Sequence, residues 1–274
     1  MDSFDNIPPQ PELSAAPLPV PSVPIDDGKN AAVDLLDVLL LIVFAVGAYF
    51  VADILATSVY MAAHHAQSPQ ELAKRLAHNI YFAVFLLFVV YLLLIAFMAF
   101  LTSVRHNQSL GQAVRWNPPG RRVAGYALAG GVALALCSDI AEAIFHRWIP
   151  KSLPINEYFH DRSTAFLLAA FGIFIAPFVE EMLFRGFLYP ALSRWTGMTP
   201  SIIITAACFA LMHGIQLAYS LIPLLLIFFV GAVLTMVRAR TNSVATSVLV
   251  HMAYNFTLFS QLYIASQGFR NLQG

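Results

Sequence analysis

Charge is scarce in this chain. Aspartate, glutamate, lysine and arginine make up 11% of it, against about 25% in an average soluble domain, which excludes an ordinary water-soluble globule. Cysteine is almost missing: Cys137 and Cys208 are the two present, both inside apolar runs where they suit packing as small hydrophobes. Two cysteines build neither a disulfide framework nor a zinc-finger spacing. No excess of one sign exists either. With 15 basic and 15 acidic residues, and the basic ones scattered through loops, there is no footprint for nucleic acid. The chain also does not open with a positive stretch followed by an apolar run, so a signal peptide is not expected.

Hydrophobic residues, by contrast, are 59% of the sequence, the composition of a polytopic membrane protein. A spanning helix needs about 20 mostly apolar residues. On that measure seven spans are expected, at about 35–58, 80–104, 123–145, 163–184, 201–218, 220–237 and 243–264, the fifth and sixth close enough to form a re-entrant pair. The fold class is therefore an all-α bundle of about seven transmembrane helices in a lipid bilayer. Residues 1–34, rich in proline and acidic, read as a disordered tail. Residues 35–149 then form N-terminal transmembrane helices and 150–274 a second helical unit that carries the polar motifs. Arg105 to Arg122 is the longest basic loop, and positive residues stay cytoplasmic. This puts the loop and the N-terminus inside an integral protein of a cell membrane such as the bacterial inner membrane. Lys151 and Arg162 fall outside in that arrangement.

Three polar clusters interrupt the second half. Glu180, Glu181 and Arg185 lie in FGIFIAPFVEEMLFRGFLYPAL, Phe209 and His213 in FALMH, and His251 and Asn255 in HMAYN. A charged side chain at bilayer depth costs roughly 2.5 to 3.5 kcal/mol on insertion scales, so such a group needs a partner, water or a chemical task. Glu181 and Arg185 are four apart and share a helix face, in the favourable order for an ion pair. Glu180 is turned about 100° away and is left free, and a free buried carboxylate suits a general base. Phe209 and His213 share a face, as do His251 and Asn255. The amide of Asn255 has donors suited to an oxyanion or a substrate carbonyl. Each cluster alone is also compatible with mere helix packing; three converging clusters favour one shared site.

The order EExxxR, FxxxH, HxxxN on separate apolar helices resembles the CPBP family of intramembrane proteases, which includes type II CAAX prenyl endopeptidases and bacteriocin-processing and self-immunity proteins. The resemblance covers about 150–266. It implies an endopeptidase that hydrolyses a peptide bond of a membrane-associated protein or peptide, in a cavity opening towards the cytoplasm. Glu180 and His213 would activate the attacking water, His251 and Asn255 would stabilise the oxyanion, and Glu181, Arg185 and Phe209 would support them.

Glutamate and histidine also suit zinc, which needs three protein ligands and an open position in a catalytic site; Glu180, His213 and His251 would supply them. Metal-free activation of water is the favoured expectation, because it leaves His251 and Asn255 as donors. Two other classes fit buried Glu, His and Arg: a proton-coupled transporter, and a catalytically silent scaffold or immunity protein. Asp139, Glu142 and His146 share a face of the third span and form a weaker cation-binding candidate. His64, His65 and His78 read as interfacial.

Overall fold

The computed structural model describes residues 33–63, 76, 79–159 and 161–272. Among them every regular element is helical. We number eight helices: α1 Leu35–Ala63, α2 Ile80–His106, the single turn α3 Leu110–Ala113, α4 Arg121–Phe145, α5 162–196, α6 Met198–Met212, α7 Leu221–Thr241 and α8 Val244–Ala265. His64, His65, His78 and most of the expected tail lie outside the described residues. At the tail's end, Val33 is buried and Asp34 pairs with Arg105 at 3.1 Å.

Local chemistry sets the boundaries. Asn79 caps α2 by accepting from the Phe82 amide at 3.2 Å, and Asp161 caps α5 by accepting from Ser163 and Thr164 at 2.7 and 2.9 Å. Ser243 caps α8 in the same way. Such caps satisfy amides that a helix start leaves without partners. Between α5 and α6 the chain turns at Gly197, whose φ of 77° is open to glycine at no steric cost.

Five helices are long and apolar enough to cross a membrane: α1, α2, α4, α5 and α7. These are the spans found among the described residues, and the other two of the expected seven are present as α6 and α8. Helix α6 has 15 residues, about 22 Å at 1.5 Å per residue, short of a hydrocarbon core of about 30 Å. It ends at Met212, and the expected span to 218 becomes turns over 213–219. Helix α8 is long enough but is diluted by Thr246, Ser247, His251, Asn255, Thr257, Ser260 and Gln261. Helix α5 outruns its expected end at 184 because its charges are satisfied inside the bundle. Outward faces are apolar, with Leu39, Ile54, Val59 and Phe100 all more than half exposed, far beyond what a soluble monomer shows. The protein is an integral membrane helix bundle.

Helices α4 and α8 approach closely at Gly131, where an added Cβ would stand 2.6 Å from the Ala253 Cβ. Polar ties fasten both ends. At one end Asp37 accepts from Arg105 Nε at 2.6 Å, Arg115 donates to the Asn242 side chain at 2.9 Å, and Val244 N–H donates to the Arg115 carbonyl at 3.2 Å. At the other end the 149–159 connection meets the 213–219 turns, where Ile155 N–H donates to the Gln216 carbonyl at 3.1 Å.

The basic loop and the 149–159 connection therefore lie at opposite ends of the bundle. In a background with Cys137 and Cys208 replaced by alanine, Gln108→Cys and Lys151→Cys should react with a membrane-impermeant maleimide from opposite sides of sealed vesicles. Labelling of both from one side would contradict this topology.

Candidate active site

Helix α5 is interrupted by two π-turns, Phe171–Ile175 and Met182–Leu188, on either side of the segment Ala176–Glu181. Such turns widen the ladder to i→i+5 bonds and are frequent at functional sites. In the first, Ala176 N–H donates to the Phe171 carbonyl. The next donor in that pattern would be residue 177. It is proline, which has no N–H, so the Gly172 carbonyl is released from the helix ladder. Asn255 Nδ2 donates to that carbonyl at 2.6 Å.

One turn later stand the carboxylates. Glu181 is fully buried, and its Oε1 accepts from Arg185 Nη1 at 2.8 Å and faces His251 Nδ1 at 2.9 Å. Arg185, also fully buried, spends its other donors on α7: Nη2 on the Gly231 carbonyl at 2.8 Å and Nε on the Thr235 hydroxyl at 3.2 Å. The guanidinium also lies over the Phe209 ring, 4.6 Å from its centre. Gly231 is required there, because a Cβ would approach Phe209 Cδ1 to 3.1 Å and the Ala206 Cα to 3.3 Å.

Phe209 is the floor of the site. Its ring meets those of His213 at 4.8 Å, Phe184 at 5.2 Å and His251 at 5.8 Å. His213 closes α6, with Nδ1 on the Phe209 carbonyl at 2.8 Å. A carbonyl only accepts, so Nδ1 carries the proton, and in the neutral ring Nε2 is the acceptor. The same logic makes His251 Nδ1 the donor to Glu181, while its Nε2 lies 3.9 Å from Glu180 Oε2.

Glu180, Phe209, His213, His251 and Asn255 all line a cavity of about 500 Å³. Five of the seven expected site residues thus converge on one space, and Glu181 and Arg185 sit behind its wall. The remaining lining is mainly aliphatic and aromatic, drawn from the first half of α2, from 155–159 and from the end of α8. That is the end of the bundle opposite the basic loop. A cytoplasmic basic loop and a cytoplasmic cavity, both expected from the sequence, exclude each other.

Two expectations about donors also change. His251 and Asn255 were expected to stay free as donors; each spends one, on Glu181 and on the Gly172 carbonyl, leaving one Nδ2 hydrogen and the Nε2 position for a ligand. Sequence reading also passed over Pro177, Gly172, Gly231 and Thr235. Pro177 inside a helical run was the visible signal, since it must orphan a carbonyl. Of the weaker candidates, Asp139 accepts from Gln261 Nε2 at 2.7 Å and His146 Nδ1 bonds the Ala143 carbonyl at 2.8 Å. Among the described residues no three His, Cys, Asp or Glu side chains are grouped to hold a metal ion.

Residues 162–257 match the family model described as type II CAAX prenyl endopeptidase, Rce1-like. Over these residues the chain is similar to the CAAX-type proteases. No curated protein and no solved structure matches the chain. The Rce1-like segment contains all seven motif residues, while α1, α2, α3 and α4 lie before it.

Breaking one partner of a buried ion pair leaves the other charge uncompensated and costs about 3 to 5 kcal/mol. Arg185→Met should therefore lower the melting temperature and the yield of folded protein sharply. A thermal melt in detergent unchanged from that of the unsubstituted protein would show that Glu181 is held by other means.

Proposed function

We propose that this protein is an intramembrane endopeptidase that hydrolyses a peptide bond next to an apolar, membrane-anchored segment of its substrate, using water activated by Glu180 and His213. The observation that carries the reading is the shared cavity, where a carboxylate, two imidazoles and an amide from three helices face an otherwise apolar wall. A transporter needs no such grouping. The Rce1-like segment supports the protease class.

The chemistry follows from the donors and acceptors left over. A water between Glu180 and His213 Nε2 loses a proton to the Glu180 carboxylate as its oxygen bonds to the substrate carbonyl carbon. The carbonyl π electrons move to oxygen. That oxyanion is held by the remaining Asn255 Nδ2 hydrogen and by His251, which serves as donor when Nε2 is protonated. One such donor is worth about 10² to 10³ in turnover. Glu181 and Arg185 keep the imidazole of His251 in place, as a carboxylate orients the base in a catalytic triad. Collapse breaks the C–N bond, and the leaving amine takes the proton from Glu180.

Glu180→Gln keeps the shape of the side chain but cannot accept the proton. Cleavage of a membrane-anchored peptide by purified protein in liposomes should fall by about 10² to 10⁴, the usual contribution of a general base, with folding intact. Full activity in Glu180→Gln would remove the assigned base.

The proposal runs without a metal, on protein groups alone. Exhaustive chelation should then leave activity within a few-fold of untreated enzyme. Activity lost on chelation and restored by one equivalent of zinc would assign water activation to a bound ion instead.

A further inference from the structure

Beyond the motif residues, the cavity is lined by the polar side chains of Tyr91, Tyr158, Gln216 and Tyr254. Tyr91, on α2 and outside the Rce1-like segment, lines the same cavity as Glu180. Its ring is held by stacking on Phe171, with centroids 5.7 Å apart and planes 21° from parallel. Phe171 opens the first π-turn of α5, so the turn that frees Gly172 for Asn255 also supplies the ring that fixes Tyr91.

We propose that Tyr91 is the positioning residue for the catalytic carboxylate, its hydroxyl donating to Glu180 and aiming the other carboxylate oxygen at the water and His251. A carboxylate only accepts, so the phenol must be the donor. The other charged or titratable groups at the cavity are Glu181 and Arg185 on the helix of Glu180, His251 on α8, His213 on α6, Tyr158 in the 149–159 connection, and Tyr254 on α8, whose hydroxyl donates to Ser138 Oγ at 3.4 Å. None duplicates this role. Arg185 spends its donors on Glu181, Gly231 and Thr235, His251 Nδ1 is taken by Glu181, and His213 Nδ1 by the Phe209 carbonyl. A rigid donor on a neighbouring helix is the economical way to hold a buried carboxylate in one rotamer. It also makes α2 part of the active site, so the Rce1-like segment is incomplete without the N-terminal helices.

This inference rests on Glu180 being the base, and its test separates the two. Tyr91→Phe keeps the ring and its stacking on Phe171 and removes the hydroxyl alone. In the full-length protein in liposomes it should melt with the parent, keep KM within about twofold and lose kcat by roughly 10- to 100-fold, the rate equivalent of one hydrogen bond to a charged group. A second reading needs no activity: modification of Glu180 by a hydrophobic carbodiimide, followed by peptide mass spectrometry, should be several-fold faster in Tyr91→Phe because the carboxylate has lost its donor. Unchanged kcat with an unchanged labelling rate overturns the proposal, and so does a loss confined to KM, which would make Tyr91 a substrate contact. If the parent protein cleaves no peptide, the protease reading fails, and the carbodiimide rate alone decides whether Tyr91 holds Glu180.

Discussion

The site is organised around the buried carboxylate of Glu181. It has no solvent to share its charge, and its Oε1 is placed between Arg185 at 2.8 Å and His251 at 2.9 Å. Taking such groups out of water is costly, and the attraction repays that cost only with close geometry and further hydrogen bonds. Arg185 meets the condition by reaching Gly231 and Thr235 on α7, so one guanidinium locks α5 to α7 while one carboxylate locks α5 to α8. Helices α5, α7 and α8 are thereby fixed by a single charged chain, and Phe209 of α6 is pinned beneath it. Glu180, one residue away, is kept out of this chain by the helical turn and faces the cavity instead.

Small residues and a proline make that arrangement sterically possible. Gly231 lets α6 and α7 close over the Phe209 ring, and Gly131 lets α4 touch α8. Pro177 does something different: it removes an N–H at the position where the π-turn would need one, and the released Gly172 carbonyl anchors Asn255. A helix defect on α5 thus becomes the attachment point for an amide on α8. The released backbone carbonyl is satisfied inside the protein, by Asn255.

Much of this was legible in the sequence, because the signals were of two strong kinds. Long apolar runs gave helices whose positions held to within a few residues at 35, 80, 121, 162 and 221. Charges inside such runs marked the site, and the four-residue spacing of Glu181 and Arg185 predicted their contact. The rest depended on tertiary facts that no spacing encodes. That α6 stops at Met212 and that α8 is too polar to count as a span followed from the bundle satisfying their polar groups. That His251 pairs with Glu181 could not be read from two motifs 70 residues apart, nor could the approach of Tyr91 from α2. Sidedness of the cavity has a related basis: a loop's charge places one end of the bundle, but only the packed helices show at which end the cavity lies.

The central claim is that Glu181 fixes the ring of His251 through Nδ1, leaving Nε2 to the cavity. Solid-state NMR of histidine-labelled protein in bilayers, with the His251 signal assigned by its loss in His251→Asn, reads the protonation of each ring nitrogen directly. The account predicts a protonated, strongly hydrogen-bonded Nδ1. A bare Nδ1 with the proton on Nε2 alone would contradict it, since the carboxylate of Glu181 could not then orient the imidazole.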